Sequence, residues 1–555
     1  MSSVTSINEQ SQNILSTIIS FLPPDQQLQI INSRLSKIWN QASLNLTVQF
    51  NLMRSILKLP PKKINELVQR RFGLITHLVN QTFNECLTPS KFKGELLSKV
   101  IESRFGKHSA IMYLQGLSPE QREMIETLKL SAYFALEDEV TKIIELCPNL
   151  KSLTLNVPNI TGECLAKISK QNQLEKLYLG SRCDRLVEQF LAVFFREATH
   201  LKEVDLSYTN TTGEGLSHIE KNQLNKALLR GCKALSDDNL GVFFSKALDL
   251  IEVDLEGTEI TGSAFDQVPI GSRLEKLSLK LCVNFNEDFL PHLLRLTHLK
   301  VIDLSCTPIT GKYLDIIASE NKNLEKLFLK KCERLVEEFL VNLFSEATDL
   351  EEVDLSKTNT TGEGLARLPE KNKLKKVFLY SCENLNKELF KDFFRKAIHL
   401  EVVDLSSTRI TGACFTQISE QNQLKSLELS GCLYLDEGLL TEFFRTKATH
   451  LQVVALSYTS ITGECLTQIS EQNQLKSLEL KGCQQLDEGL LTEFFRTKST
   501  YLQDVDLSYT NITGECLTHS PEKNQLVRVF LFACEHFNVE DAFLGTTVRD
   551  ALEFY

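Results

Sequence analysis

From Ile125 onward, large aliphatic residues recur on a fixed grid. Units open on Ile125, Leu150, Leu174, Leu201, Leu224 and so on to Leu526, each reading L-x-x-(L/V/I/A)-x-L or close to it, and they number 17 at a spacing of about 25 residues. Apolar residues at the first, fourth and sixth positions alternate with outward ones at the third, fifth and seventh, which predicts a short strand with one buried face. The period then changes. In Leu435-Asp-Glu-Gly-Leu-Leu440-Thr-Glu-Phe443-Phe444, Leu439, Leu440, Phe443 and Phe444 share one face of a helix that Asp436 can cap. A strand, turn and helix of this size cannot bury their apolar faces alone, so the units must stack into an α/β solenoid.

Two kinds of unit alternate. One has Cys at the ninth position, at Cys183, Cys232, Cys282, Cys332, Cys382, Cys432, Cys483 and Cys534; the other has Thr, as at Thr209, Thr258, Thr358, Thr408, Thr459 and Thr510. Cys or Thr there is expected to bond the backbone where the strand turns away. In the Thr-type unit, Thr462 and Thr513 are the predicted N-caps of a shorter helix, with Glu464 and Glu515 placed for its dipole. The stretch beginning at Gly412 returns 51 residues later at Gly463, differing at Ser430/Lys481, Leu433/Gln484 and Tyr434/Gln485, which fall at the strand end and the loop after it. This grid resembles a leucine-rich repeat, and the Cys-type units resemble the cysteine-containing repeats of F-box proteins. The resemblance implies a right-handed horseshoe with parallel strands on the concave face and helices on the convex one.

Upstream the pattern is different. In residues 7–46, Ile14, Leu15, Ile18 and Ile19 have helical spacing, Phe21-Leu22-Pro23-Pro24 ends that helix, and a second apolar segment runs from Leu28 through Leu35 to Trp39. So short a segment cannot bury this many large side chains internally, so a neighbouring segment or a partner covers them. Ile14-Leu15, Ile18-Ile19-Ser20-Phe21-Leu22-Pro23 and Leu35-Ser36-Lys37-Ile38-Trp39 resemble an F-box, with Gln10-Ser11 standing where that family opens on Leu-Pro. The resemblance implies docking to the Skp-type adaptor of a cullin-RING ubiquitin ligase through Leu15, Ile18, Leu22, Pro23, Leu35 and Trp39. On the residues alone, a helical cap sealing the end of the repeats is the other reading. The expected domains are 1–48, F-box-like and all-α; 49–124, a helical linker; and 125–555, the repeats. Within the linker, Ile75-Thr-His-Leu78 and Ile111-Met-Tyr-Leu114 read as eroded repeat starts, and the tail from Phe537 to Tyr555 reads as a closing cap.

Composition narrows the function. A net charge of −11 over 555 residues, with no long basic run, argues against nucleic acid or anionic membrane as partner. The N-terminus lacks a signal-peptide pattern and no run approaches the ~18 apolar residues of a membrane span, so a soluble cytoplasmic protein, with the nucleus as an alternative, is expected. Cysteines recurring every second strand would lie ~10 Å apart, beyond the ~7 Å a disulfide spans, which predicts reduced thiols. There is no phosphate-binding loop and no C-x-x-C pair, and the ten histidines are scattered, so neither catalysis, nor a metal, nor a cofactor is expected.

What remains is a surface. Charges of both signs at the third positions, and Asp205, Asp254, Asp303, Asp354, Asp404 and Asp506 at the fifth, read as a solvated ladder. One patch stands out: Phe328, Phe378 and Tyr380 project among Lys326, Lys330, Lys331 and Lys376 with Asp354 between them, as a protein-binding hot spot would. Tyr208, Tyr458 and Tyr509 form a second candidate. The function expected is target recognition on the concave face, coupled to the ligase through the F-box. The alternative is a ribonuclease-inhibitor-like interaction scaffold with no ligase link.

Overall fold

The computed structural model describes residues 97–99, 101–102, 109–132, 135–168, 173–220, 223–420, 422–471, 473–518, 526–534, 536 and 552–553. They fall into two compact units, one ending at Ala247 and one beginning at Leu248.

In the first unit, helices Ser109–Gln115 and Pro119–Glu123 precede the repeats. Ser118 starts the second of them with a capping box, its side chain accepting from the Gln121 N–H while the Gln121 side chain accepts from the Ser118 N–H at 2.9 Å. Ile111–Leu114 therefore lies within a helix, which corrects its reading as an eroded repeat start: its apolar spacing serves a helix face. Strands Thr127–Ser131, Ser152–Asn156, Lys176–Leu179, Glu203–Asp205 and Lys226–Leu228 then alternate with helices, each strand parallel to the next.

The second unit carries strands from Glu252–Asp254 to Arg528–Phe530, again parallel and in register, position for position, as with Val353 opposite Leu327 and Val377. A last short strand, Leu552–Glu553, pairs with Val529 and Phe530; the rest of the expected closing tail lies outside the described residues. All 17 predicted strands are present, and the fold is a leucine-rich-repeat α/β solenoid with alternating repeat types. The core is made by the gridded aliphatics, such as Leu424, Leu427 and Leu429, together with helix phenylalanines. Phe394, Phe415 and Phe443 stack in sequence at 5.4 and 5.3 Å between ring centroids. Each fully buried ring of this kind stabilises by roughly 1.5–3 kcal/mol, so the helix face is welded repeat to repeat.

Helix starts differ from expectation in the Thr-type repeats. The residue preceding the helix Glu464–Thr467 is Gly463, held left-handed at φ 98°, and Thr462 sits one position earlier. The caps come from the previous repeat. Glu437, in the first turn of its own helix, accepts from Thr462 N and Oγ1 at 2.7 and 2.9 Å and from Gly463 N and Cys465 N at 2.9 and 3.3 Å. Glu488 does the same for Thr513, Gly514 and Cys516, and Glu137 for Thr161, Gly162 and Cys164. A carboxylate accepts more strongly than a hydroxyl and here meets several orphan N–H groups at once, while Thr462 and Thr513 keep only the long bonds from the Glu464 and Glu515 N–H groups, 3.4 Å each. The other end of the short turn is held from the opposite side. Lys396 Nζ donates to Ala366 O at 2.8 Å, and Lys447 Nζ donates to Thr416 O. Thr-type turns are thus held by side chains from the Cys-type helices flanking them.

Candidate functional site: the strand face

The ninth positions are structural, as their residue types suggest, and they work in pairs. Thr408 Oγ1 donates to Leu405 O at 2.6 Å, and Cys432 Sγ of the next repeat donates to the same oxygen at 3.0 Å. The same sharing holds for Thr209 and Cys232 at Leu206, Thr358 and Cys382 at Leu355, and Thr510 and Cys534 at Leu507. Alternation of Cys and Thr therefore has a cause: two side-chain donors of different reach converge on one carbonyl. Burial pushes the Cys332 thiol up to about 11, which keeps it protonated and able to donate. Every cysteine among the described residues is a free thiol.

The fifth-position aspartates are also used by the scaffold. Asp354 Oδ1 accepts from Ser356 N at 2.8 Å, and Asp205, Asp303, Asp404 and Asp506 accept from the N–H two residues on at 2.9 Å. These are Asx turns that bend the chain out of the strand, so the solvated-ladder reading is corrected for this row. Burial, its largest influence, raises the Asp303 carboxyl.

The bend then passes through a left-handed residue. In all 14 repeats from Leu201 to Leu526 the eighth position has positive φ, and only Gly231, Gly257, Gly431 and Gly482 are glycine. This conformation lets the eighth N–H stay on the ladder, as when Lys331 N reaches Ser356 O at 2.8 Å. Tyr208 and Tyr458 lie across the next repeat's glycine, where a Cβ on Gly231 or Gly482 would run into the ring. Tyr509 packs edge-on against Phe532 at 5.2 Å.

The patch singled out from sequence is brought together. Lys326, Glu352 and Lys376 are direct register neighbours, as are Phe328, Asp354 and Phe378. Its character differs from expectation, however. Glu352, not counted in the patch, lies 2.9 Å from Lys326 and 3.7 Å from Lys376, so the two cations share one carboxylate. Phe328, Phe378 and Tyr380 are half-buried, and Lys357 stands over the Tyr380 ring at 5.3 Å. Lys330 and Lys331 remain exposed. The predicted adaptor residues Leu15, Ile18, Leu22, Pro23, Leu35 and Trp39 lie outside the described residues, as does Ile75–Leu78. Among the described residues, no helix is long and apolar enough to cross a membrane.

A stacked strand face with half-buried aromatics and paired charges defines a repeat scaffold suited to protein interaction. No known sequence family matches the chain, and no curated protein matches it. Among solved structures 301 chains match. One is the crystal structure of a TLR13–ssRNA13 complex, similar over 74% of this chain at a TM-score of 0.51 and 17% sequence identity; the match spans 56% of that chain. At that identity the likeness concerns the repeat fold alone.

Proposed function

We propose that the chain is a non-enzymatic substrate-recognition subunit of a Skp/cullin/F-box type ubiquitin ligase, acting in the cytoplasm or nucleus. Residues 1–48 dock to the adaptor and the strand face of the repeats holds a target protein. The observation carrying this reading is the run Ile18-Ile19-Ser20-Phe21-Leu22-Pro23 followed by Leu35 and Trp39, joined to cysteine-containing repeats whose buried groups are committed to structure. A hydrophobic segment this short needs a cover, and the adaptor supplies one. Co-precipitation with a Skp-type adaptor tests the reading. Replacing both Leu22 and Trp39 by Ala is expected to abolish it with the repeat circular dichroism unchanged. Adaptor binding that survives the double replacement, or no binding by the intact chain, refutes the ligase link and leaves an interaction scaffold of the ribonuclease-inhibitor kind.

A further inference from the structure

Three neighbouring strands, Lys276–Ser278, Val301–Asp303 and Lys326–Phe328, end in turns whose left-handed residue is not glycine: Leu281, Cys306 and Lys331. Between these turns lies a cleft of about 300 Å³. That volume is at the small end for ligand pockets and fits one bulky side chain better than a whole small molecule. Leu281 and Val283, 43% and 62% exposed, form its apolar wall together with Pro308. Aliphatic residues this exposed side by side mark a contact surface.

The opposite lip is cationic. Lys331 and Arg334 line it, with Glu333 as the single carboxylate, and exposed Lys330 stands next to them. No ion pair engages Lys331 or Arg334 among the described residues, whereas nearby Lys326 and Lys280 are each paired at 2.9 Å, with Glu352 and Glu256. A positive lip on a chain of net charge −11 is a local departure that selects among partners.

We propose that this cleft takes one bulky apolar side chain of an acidic protein segment, whose flanking carboxylates meet Lys331 and Arg334. The inference rests on the reading of the repeats as a target-binding surface, and it is independent of the adaptor link. The apolar wall supplies the anchor, the cations set its sign, and Cys306, half-exposed in the cleft where most other thiols are buried, reports occupancy.

Three fluorescent hexapeptides test it against the full chain by anisotropy: Glu-Glu-Leu-Phe-Glu-Glu, Lys-Lys-Leu-Phe-Lys-Lys and Glu-Glu-Gly-Gly-Glu-Glu. The first is expected to bind at least about tenfold tighter than the other two, and more weakly at high salt. Reversing the lip with K331E/R334E should weaken it by about tenfold or more. Leu281→Gly, which keeps the left-handed turn while removing the wall, should weaken it as well. Bound peptide should also slow maleimide labelling at Cys306, the site being assigned by its loss in C306S. Equal binding of the basic or glycine peptide, insensitivity to both variants, or no binding of the first peptide overturns the proposal. Adaptor co-precipitation run on the same proteins keeps the two readings apart. Adaptor binding without peptide binding sinks only the cleft, and peptide binding without adaptor binding sinks only the ligase link.

Discussion

Ten of the 14 left-handed eighth positions carry a side chain, among them Tyr208, Leu281 and Ser381. Such a conformation costs roughly 1–2 kcal/mol for an L-residue, so each of those ten repeats holds strain that its ladder bonds offset. Ser381→Gly is expected to raise stability by about 0.5 kcal/mol, the relief being partly offset by the more flexible unfolded chain. Gly482→Ala should lower it by about 1–3 kcal/mol, because the left-handed strain adds to a clash with Tyr458. Urea denaturation followed by circular dichroism measures both, and a stabilising Gly482→Ala would contradict this account of the turn. These positions were not legible as special in the sequence, since their residue types vary, and of the four glycines only Gly231 and Gly482 lie under a tyrosine. The aspartates two residues before the turn serine were legible: Asp-Leu-Ser is a local Asx signal, and it was read as surface charge instead.

The carboxylate clamp is not the same at every short turn, and turn type does not follow it alone: Ser263–Gln267 is a 3-10 helix although Asp237 stands at the clamp position. Where the clamping residue is Glu437 or Glu488, the next turn is α-helical, Glu464–Thr467 or Glu515–Thr518. Lys387 occupies the same place in its repeat and cannot accept a hydrogen bond, and the turn that follows, Ala413–Gln417, is a 3-10 helix. Lys387→Glu is therefore expected to raise the thermal midpoint, and Glu437→Ala to lower stability by about 2 kcal/mol through its stranded N–H groups. Glu137 and Glu488 add a pH dependence. Burial works to raise both carboxyls, but the hydrogen bonds donated by Thr161 and Cys164, and by Thr513 and Cys516, outweigh it and hold them below their ordinary value. A depressed folded value means the clamp's stabilisation is present above the unfolded-state value and lost as pH falls through the folded one. Thermal midpoints should thus fall more steeply below about pH 4 in the parent than in Glu137→Gln or Glu488→Gln proteins.

Across the repeats, stability should follow neighbour contacts more than position. Deleting residues 412–462 removes one Thr-type helix, one Cys-type repeat and the next Thr-type strand, so Thr411 runs directly into Gly463 with the alternation intact. That protein is expected to keep its circular dichroism and a cooperative transition. Deleting residues 400–423 instead removes a single Thr-type strand and turn and sets two Cys-type repeats side by side. Cys432 then loses the Leu405 carbonyl it shared with Thr408, and Lys447 loses the Thr416 carbonyl, so a markedly lower midpoint is expected. Equal midpoints for the two deletions would show that alternation is not structural.

The grid of Leu, Cys and Thr contained the repeat count, the strand positions, the parallel stacking and the reduced state of the cysteines, because each follows from period, spacing and the geometry of a single turn. Exposure of Leu433 and Tyr434, where the duplicated copies diverge, followed from the same grid. What one repeat does to the next was decided only in the folded chain. Glu437 reaching Thr462, Cys432 sharing an oxygen with Thr408 and Glu352 pairing with Lys326 and Lys376 all join residues about 25 apart. Such contacts depend on the register and rise between stacked units, and no local propensity encodes those.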